Sequence, residues 1–174
     1  AAFKQVEPEA VAIDGVRHAE LVCALNALAA AGVRTLLFKG AALAYSHYPA
    51  PHVRVRTDTD LFASASDVPR VEQVLGRLGY HRPPETSGRL VSYQSHYQKT
   101  DPLGVLHAFD VHWKISNAQA LADRLTFEEL WESRIPVPGL GPSALTVSDV
   151  HALLLAIVHR AGHHPGSNDL LWIY

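Results

Sequence analysis

The 174-residue sequence predicts an α+β fold, in which helices flank a small sheet and a helical part follows at the C-terminal end. Two observations predict the sheet. One is a short apolar run bounded by glycines at residues 33–38, and the other is a pair of alternating polar and apolar segments joined near residues 100–104. A third observation predicts the helices, because apolar residues recur at helical spacing in three other stretches.

The N-terminal third is predicted to run helix, strand, turn, helix. Residues 8–31 form an Ala-rich helix, and Gly32 follows it where a C-cap glycine belongs. The apolar run at 33–38 has the composition of a buried strand. A short helix over 41–48 must then end before Pro49.

The middle of the chain supplies the remaining predicted strands. One strand is expected over 56–63, followed by a helix from Asp67 to the region of Gly79. Alternation of polar and apolar residues predicts two longer strands over 90–99 and 105–115. Their short connection makes them an antiparallel hairpin with one polar face.

Helices return in the last third of the chain. Thr126 is an N-cap residue for a helix ending near Ser133, and Ser148 caps a longer helix that ends near Gly162. The face of this last helix predicted to enter the core consists of Val150, Leu153, Leu154, Ile157 and Val158.

The Pro-rich stretch at 136–142 is the predicted seam between two parts, residues 1–135 and residues 136–174. The sequence contains no Met and stops at Tyr174 directly after an apolar run. We therefore expect it to be a portion of a longer product.

Composition excludes several classes of protein. Fifteen Lys plus Arg against 17 Asp plus Glu give a formal net charge of −2, so the sequence predicts no strong general patch for nucleic acid. No apolar run reaches the roughly 20 residues of a membrane span. The single Cys23 excludes an internal disulfide framework and a cysteine-based zinc site, and a reducing, cytoplasmic location is expected.

The clearest local pattern is a row of charged residues at every second position, Arg54, Arg56, Asp58 and Asp60. On an extended segment Asp58 and Asp60 project the same way, which suits a hard divalent cation such as Mg²⁺. The alternative is that both carboxylates are solvated and pair with the neighbouring arginines.

Asp110 is a third candidate, because it lies on the polar face of a strand whose other face is strongly apolar. If the strand of Asp58 and Asp60 lies beside it, three carboxylates share one surface. Such a cluster is what two-metal phosphoryl or nucleotidyl transfer requires. The alternative is a surface residue paired with His112 or Lys114.

Lys39 and Gly40 stand at a predicted strand-to-helix turn. A glycine there lets backbone amides approach a phosphate, and the lysine adds a full positive charge. The histidines suggest a weaker alternative, a transition-metal site built from His159, His163 and Asp169, although the glutamate of a zincin helix is missing.

Taken together, these motifs resemble the uncharacterised bacterial nucleotidyltransferase family of the polymerase-beta-like superfamily, from about Val33 to Trp113. The motifs that carry the resemblance are Leu37-Phe38-Lys39-Gly40, Ala44-Tyr45, Tyr48-Pro49, Arg54, Asp58-Thr59-Asp60-Leu61, Leu78-Gly79-Tyr80 and Phe109-Asp110-Val111-His112-Trp113.

The resemblance implies a mixed-sheet nucleotidyltransferase core within residues 1–135, with Asp58, Asp60 and Asp110 as catalytic metal ligands. Lys39-Gly40 stands where the wider superfamily usually has Gly-Ser, which departs from the superfamily pattern. The expected activity moves a nucleoside monophosphate from an NTP to an acceptor hydroxyl on a protein, a small molecule or an RNA end, with Mg²⁺ or Mn²⁺.

In this interpretation Lys39 and Gly40 hold the triphosphate, and Arg54 and Arg56 neutralise charge on pyrophosphate. The alternative from another class is a catalytically silent module that binds a nucleotide or a partner, as in one half of a toxin–antitoxin pair.

Overall fold

The computed structural model describes residues 3–84 and 92–163 of the chain. Two short 3-10 turns lie at Pro51–Val53 and Pro138–Leu140. The helices and strands in chain order are α1 (Phe3–Ala30), β1 (Thr35–Phe38), α2 (Lys39–Ser46), β2 (Thr59–Ala63), α3 (Val68–Arg77), β3 (Gln94–Thr100), β4 (Leu106–His112), α4 (Gln119–Ala122), α5 (Phe127–Glu132), β5 (Ile135–Pro136), β6 (Leu145–Thr146) and α6 (Asp149–His163).

The six strands form one mixed sheet in the order β3-β4-β2-β1-β6-β5. The pairs β1–β2, β3–β4 and β5–β6 are antiparallel, whereas β2–β4 and β1–β6 are parallel. The predicted α+β class and the predicted hairpin of β3 and β4 are therefore confirmed. Within residues 3–84 and 92–163, none of the helices combines the length and apolarity needed to cross a membrane.

Alternation along the strands divides the buried side chains between the two faces of the sheet. On one face, Leu37, Leu61 and Phe109 pack with residues of α1 and α3, such as Leu25 and Val71. On the opposite face lies a smaller cluster that reaches α5 and α6. Its buried members are Leu36, Phe38, Phe62, Ile115, Phe127, Leu130, Val147 and Leu155. The smaller cluster leaves room on its face for polar side chains.

Local signals were most reliable where side chains satisfy backbone groups. Thr126 and Glu129 form a capping box at the start of α5, with the Thr126 hydroxyl accepting from the Glu129 amide. Gly32 ends the first helical segment with a φ of 72°, a conformation that glycine adopts without a steric penalty.

Strand β2 is shorter than predicted, because it begins at Thr59 rather than at residue 56. The preceding residues instead form a 3-10 turn and a loop. The Arg56 guanidinium fixes this loop by donating to the Pro51 carbonyl, 3.0 Å away, and to Asp14 on α1, 2.5 Å away. The predicted residues 90–91 of β3 lie outside the described residues.

Of the predicted core face of α6, Val158 packs against the smaller cluster, but the other four residues do not face the core. Exposed fractions are 69% for Val150, 57% for Leu153, 41% for Leu154 and 56% for Ile157, whereas Leu155 is buried. Because α6 is apolar around much of its circumference, periodicity alone did not show which stripe faces the sheet. The small Ala152 and the buried Leu155 take that place.

The Pro-rich stretch at 136–142, predicted to be a loop, lies between two unpredicted two-residue strands, β5, which includes Pro136, and β6. Pro136 is tolerated there because β5 is an edge strand. The division of the chain at residue 136 stays a prediction.

Candidate active site

Two carboxylates meet where β2 and β4 run side by side. Asp60 and Asp110 are register partners in this parallel pair. Their neighbours Leu61, Phe109 and Val111 point to the larger core on the other face. Each register is thus fixed by burial, since a slip of one residue would place a carboxylate in the core.

Asp60 is buried and has two positively polarised partners on one oxygen. Its Oδ1 lies 2.7 Å from the Nζ of Lys39 and 2.8 Å from the Nε2 of His112. Burial alone would raise the pKa of Asp60, but the His112 hydrogen bond and the Lys39 charge outweigh it and lower that pKa. The Phe38 ring packs edge-on against the His112 ring, with centroids 5.0 Å apart.

Asp110 is held by the neighbouring strand β3. Its Oδ1 lies 2.6 Å from the Nδ1 of His96, its register partner in the antiparallel hairpin. The partners expected from the sequence are engaged elsewhere, since His112 binds Asp60 and Lys114 binds the exposed Asp123. The alternative that Asp110 pairs with either of them is therefore wrong.

Asp58 precedes β2 instead of lying on it, so strand parity does not fix its direction. It nevertheless lies within electrostatic reach of the pair. Burial raises the pKa of Asp58 above its usual range, and the negative charges of Asp60 and Asp110 raise it further. Such mutual repulsion among three carboxylates is relieved by a bound cation.

All seven residues that the sequence predicted for the site line one open cleft of about 610 Å³. They are Lys39, Gly40, Arg54, Arg56, Asp58, Asp60 and Asp110. Within this cleft, ligand atoms of Asp60, Asp110 and His112 all lie within 4.8 Å of one another. The structure thus adds His112 to the predicted carboxylates as a possible metal ligand.

The two arginines differ in their surroundings. The Arg56 side chain is 8% exposed, and besides Asp14 it donates to the Tyr45 hydroxyl at 3.1 Å. Arg54 donates to the Tyr48 hydroxyl at 2.8 Å and lies over its ring. Arg56 therefore anchors the loop that carries Asp58, and the role of Arg54 as a phosphate ligand stays a prediction.

Lys39 begins α2 directly after the last residue of β1 and has a φ of 54°, the one positive φ of a non-glycine residue among the described residues. Side chains rarely adopt this conformation, and it persists where surrounding structure enforces it. Gly40 follows within the first turn of α2 and lines the cleft, and backbone amides in the first turn of a helix have no partner within that helix.

Sequence reasoning missed His96. The signal was present, because His96 has the parity of the polar face of β3 and the predicted hairpin places it opposite the middle of β4. The weaker alternative was a metal site of His159, His163 and Asp169, and His159 lines the cleft. The side chain of His163 and the whole of Asp169 lie outside the described residues.

One comparison with known proteins gave a match to a family. The model of a family described as uncharacterised nucleotidyltransferase matches residues 3–174. No curated protein matches the chain.

Proposed function

Because the chain belongs to the uncharacterised nucleotidyltransferase family, we propose that it transfers a nucleoside monophosphate from an NTP to an acceptor hydroxyl. We also infer that its mixed sheet is a polymerase-beta-like core. The observation that carries the proposal is the convergence of Asp60, Asp110 and His112 within 4.8 Å beside Asp58, in an open cleft.

The donor set fits a divalent cation. Carboxylate oxygens are the ligands preferred by Mg²⁺ and Mn²⁺, and a single imidazole is compatible with Mn²⁺. Asp58, Asp60 and Asp110 would hold the ion, with His112 as a further ligand or as the group that orients Asp60. When bound, such an ion lowers the pKa of an attacking oxygen and neutralises charge on the leaving pyrophosphate.

The remaining residues bind and orient the substrates. Lys39 and the amide of Gly40 attract the triphosphate at the start of α2, where the helix dipole favours negative charge. Arg54 neutralises charge that develops on pyrophosphate. Asp110, oriented by His96, faces the cleft and is placed to accept the proton of the acceptor hydroxyl.

Thermal unfolding with ATP, GTP, CTP or UTP, each with Mg²⁺ or Mn²⁺, tests this function. At about 100 times its Kd, a true ligand adds about 2.7 kcal/mol of apparent stability. We expect one NTP to stabilise the protein in a metal-dependent manner, and Asp110→Asn to abolish the effect. Asp123→Asn is the matched control, because this exposed carboxylate pairs with Lys114 outside the cleft lining.

Pyrophosphate release in the presence of a hydroxyl-bearing panel of proteins, RNA oligonucleotides and small molecules then measures transfer. Asp110→Asn should lower the rate by more than about 100-fold, because even groups that only orient metal ligands contribute 10- to 100-fold. If no NTP stabilises the protein with either metal, the proposal is wrong.

The Lys39–Asp60 ion pair favours a second candidate, a silent nucleotide-binding or partner-binding module, because one carboxylate already has a counterion. Metal-dependent NTP binding without pyrophosphate release from any member of the panel would support this second candidate.

A further inference from the structure

Lys39 forms an ion pair from a restricted position. Its side chain is 18% exposed, and its Nζ lies over the Phe38 ring, 4.9 Å from the centroid. Lys39 also has a positive φ, a conformation that residues other than glycine rarely adopt. The ammonium group is therefore held next to Asp60 by both the backbone turn and the aromatic ring.

The Lys39–Asp60 pair conflicts with the roles assigned to its two members. The proposed function requires Asp60 to hold a metal ion and Lys39 to hold a triphosphate. In the structure the ammonium instead occupies Oδ1 of Asp60, the same oxygen that His112 contacts. A divalent cation at this carboxylate would face a like charge across the shared oxygen.

Resting on the proposed function, we propose that Lys39 is an internal counterion that makes Asp60 a poor metal ligand until a triphosphate draws the ammonium away. The triphosphate is the chemistry that can do so, because it carries several negative charges and would lie at the start of α2, beside Lys39. Metal and NTP then bind cooperatively.

Linkage makes this coupling reciprocal. If the NTP raises the affinity for the metal by some factor, the metal raises the affinity for the NTP by the same factor. Such couplings typically amount to about 5- to 150-fold in affinity. Removal of the ammonium should therefore strengthen metal binding in the absence of nucleotide and weaken the coupling.

A second lysine provides a matched control. Lys99 has a side-chain exposure of 20%, pairs with Glu20 and lies over the Tyr80 ring, 4.7 Å from the centroid. It thus repeats the ion pair and aromatic cover of Lys39 without lining the cleft. Loss of its charge should leave metal binding unchanged.

The experiment measures Mn²⁺ binding to the metal-free protein by the loss of the electron paramagnetic resonance signal of free Mn²⁺. We expect Lys39→Met to bind Mn²⁺ about fivefold or more tightly than the wild type, and Lys99→Met to match the wild type. Lys39→Gly, which suits the positive φ, is the second variant should Lys39→Met not fold.

The second measurement is the affinity for a non-hydrolysable NTP analogue with and without Mn²⁺. The metal should improve this affinity strongly in the wild type and less in Lys39→Met. Unchanged, weaker or undetectable Mn²⁺ binding by the folded Lys39 variants would overturn the inference. If no protein binds the NTP analogue, the proposed function is wrong and the coupling with it, whereas NTP binding with equal coupling in both proteins would overturn the inference alone.

Discussion

Among residues 3–84 and 92–163, two partly buried lysine–carboxylate pairs have the lysine over an aromatic ring, and their surroundings differ. At the far end of β3, Lys99 pairs with Glu20, donates to the Leu78 carbonyl at 3.1 Å, and leaves Glu20 to accept from the Tyr80 hydroxyl at 3.0 Å. In the cleft, Lys39 pairs with Asp60, but Asp58 and Asp110 add two more carboxylates nearby. We call these the balanced pair and the cleft pair.

The difference shows how a structural ion pair can be told from a binding site. In the balanced pair each charge has one opposite charge, and the remaining groups donate or accept hydrogen bonds. In the cleft pair Lys39 lies among three carboxylates, and burial together with the charges of Asp60 and Asp110 raises the pKa of Asp58 beside an open cavity. Repulsion of this kind costs stability and is typical of sites that bind a ligand.

The largest stability effect is expected from breaking the balanced pair. Glu20→Gln leaves the Lys99 ammonium partly buried without its counter-charge, and the free energy of unfolding should fall by about 2–3 kcal/mol. Urea denaturation measures this loss. Glu72→Gln on the exposed face of α3 is the control and should change the value by less than about 0.5 kcal/mol.

The corresponding substitution in the cleft pair, Asp60→Asn, should lower the free energy of unfolding by less than Glu20→Gln does. In Asp60→Asn the Lys39 ammonium keeps Asp58 within electrostatic reach, and repulsion among the carboxylates is relieved. We expect a loss of about 1 kcal/mol, the net contribution of a typical hydrogen bond, by the same urea assay without metal. A loss equal to that of Glu20→Gln would mean that the cleft pair is structural as well.

The smallest expected effect is an increase in the free energy of unfolding. The folded protein raises the pKa of Asp58, through burial first and then through the charges of Asp60 and Asp110. The stability that Asp58 contributes is therefore fully present below its ordinary pKa of 3.8 and is lost as the pH rises through its folded pKa. Asp58→Asn should stabilise the metal-free protein at neutral pH by about 0.5–1 kcal/mol.

Thermal melting across the acidic range checks the sign of the Asp58 effect. The variant should melt above the wild type at neutral pH, and the difference should shrink as the pH falls through the raised folded pKa of Asp58 and reach its minimum below 3.8. A difference that is constant with pH would show that Asp58 acts through packing instead of charge.

Much of the fold was predictable because local chemistry specifies it. The β3–β4 hairpin follows from alternation, and the start of α5 follows from Thr126 and Glu129. The buried face of α6 was not predictable, since both of its sides are apolar. The strands β5 and β6 were missed because two residues carry too little periodicity to detect.

The sequence predicted which charged residues belong to the cleft but not which partners they bind. The carboxylates stood out through parity, yet their partners depend on strand order, which brings β2 beside β4 across more than forty residues of chain. The sequence suggested His112 as a surface partner of Asp110, but the structure pairs it with Asp60. The engagement of Lys39 by Asp60 depends on a turn conformation that no sequence pattern indicated.

The register of β2 against β4 affects which substitutions this protein can accumulate. Asp60 and Asp110 are separated by the spacing of neighbouring strands, about 4.8 Å, which backbone hydrogen bonds maintain whatever the side chains are. The large apolar core lies on the other face of the same strands. Substitutions that improve packing there can therefore accumulate without moving the carboxylates, so the scaffold lets stability and chemistry evolve separately.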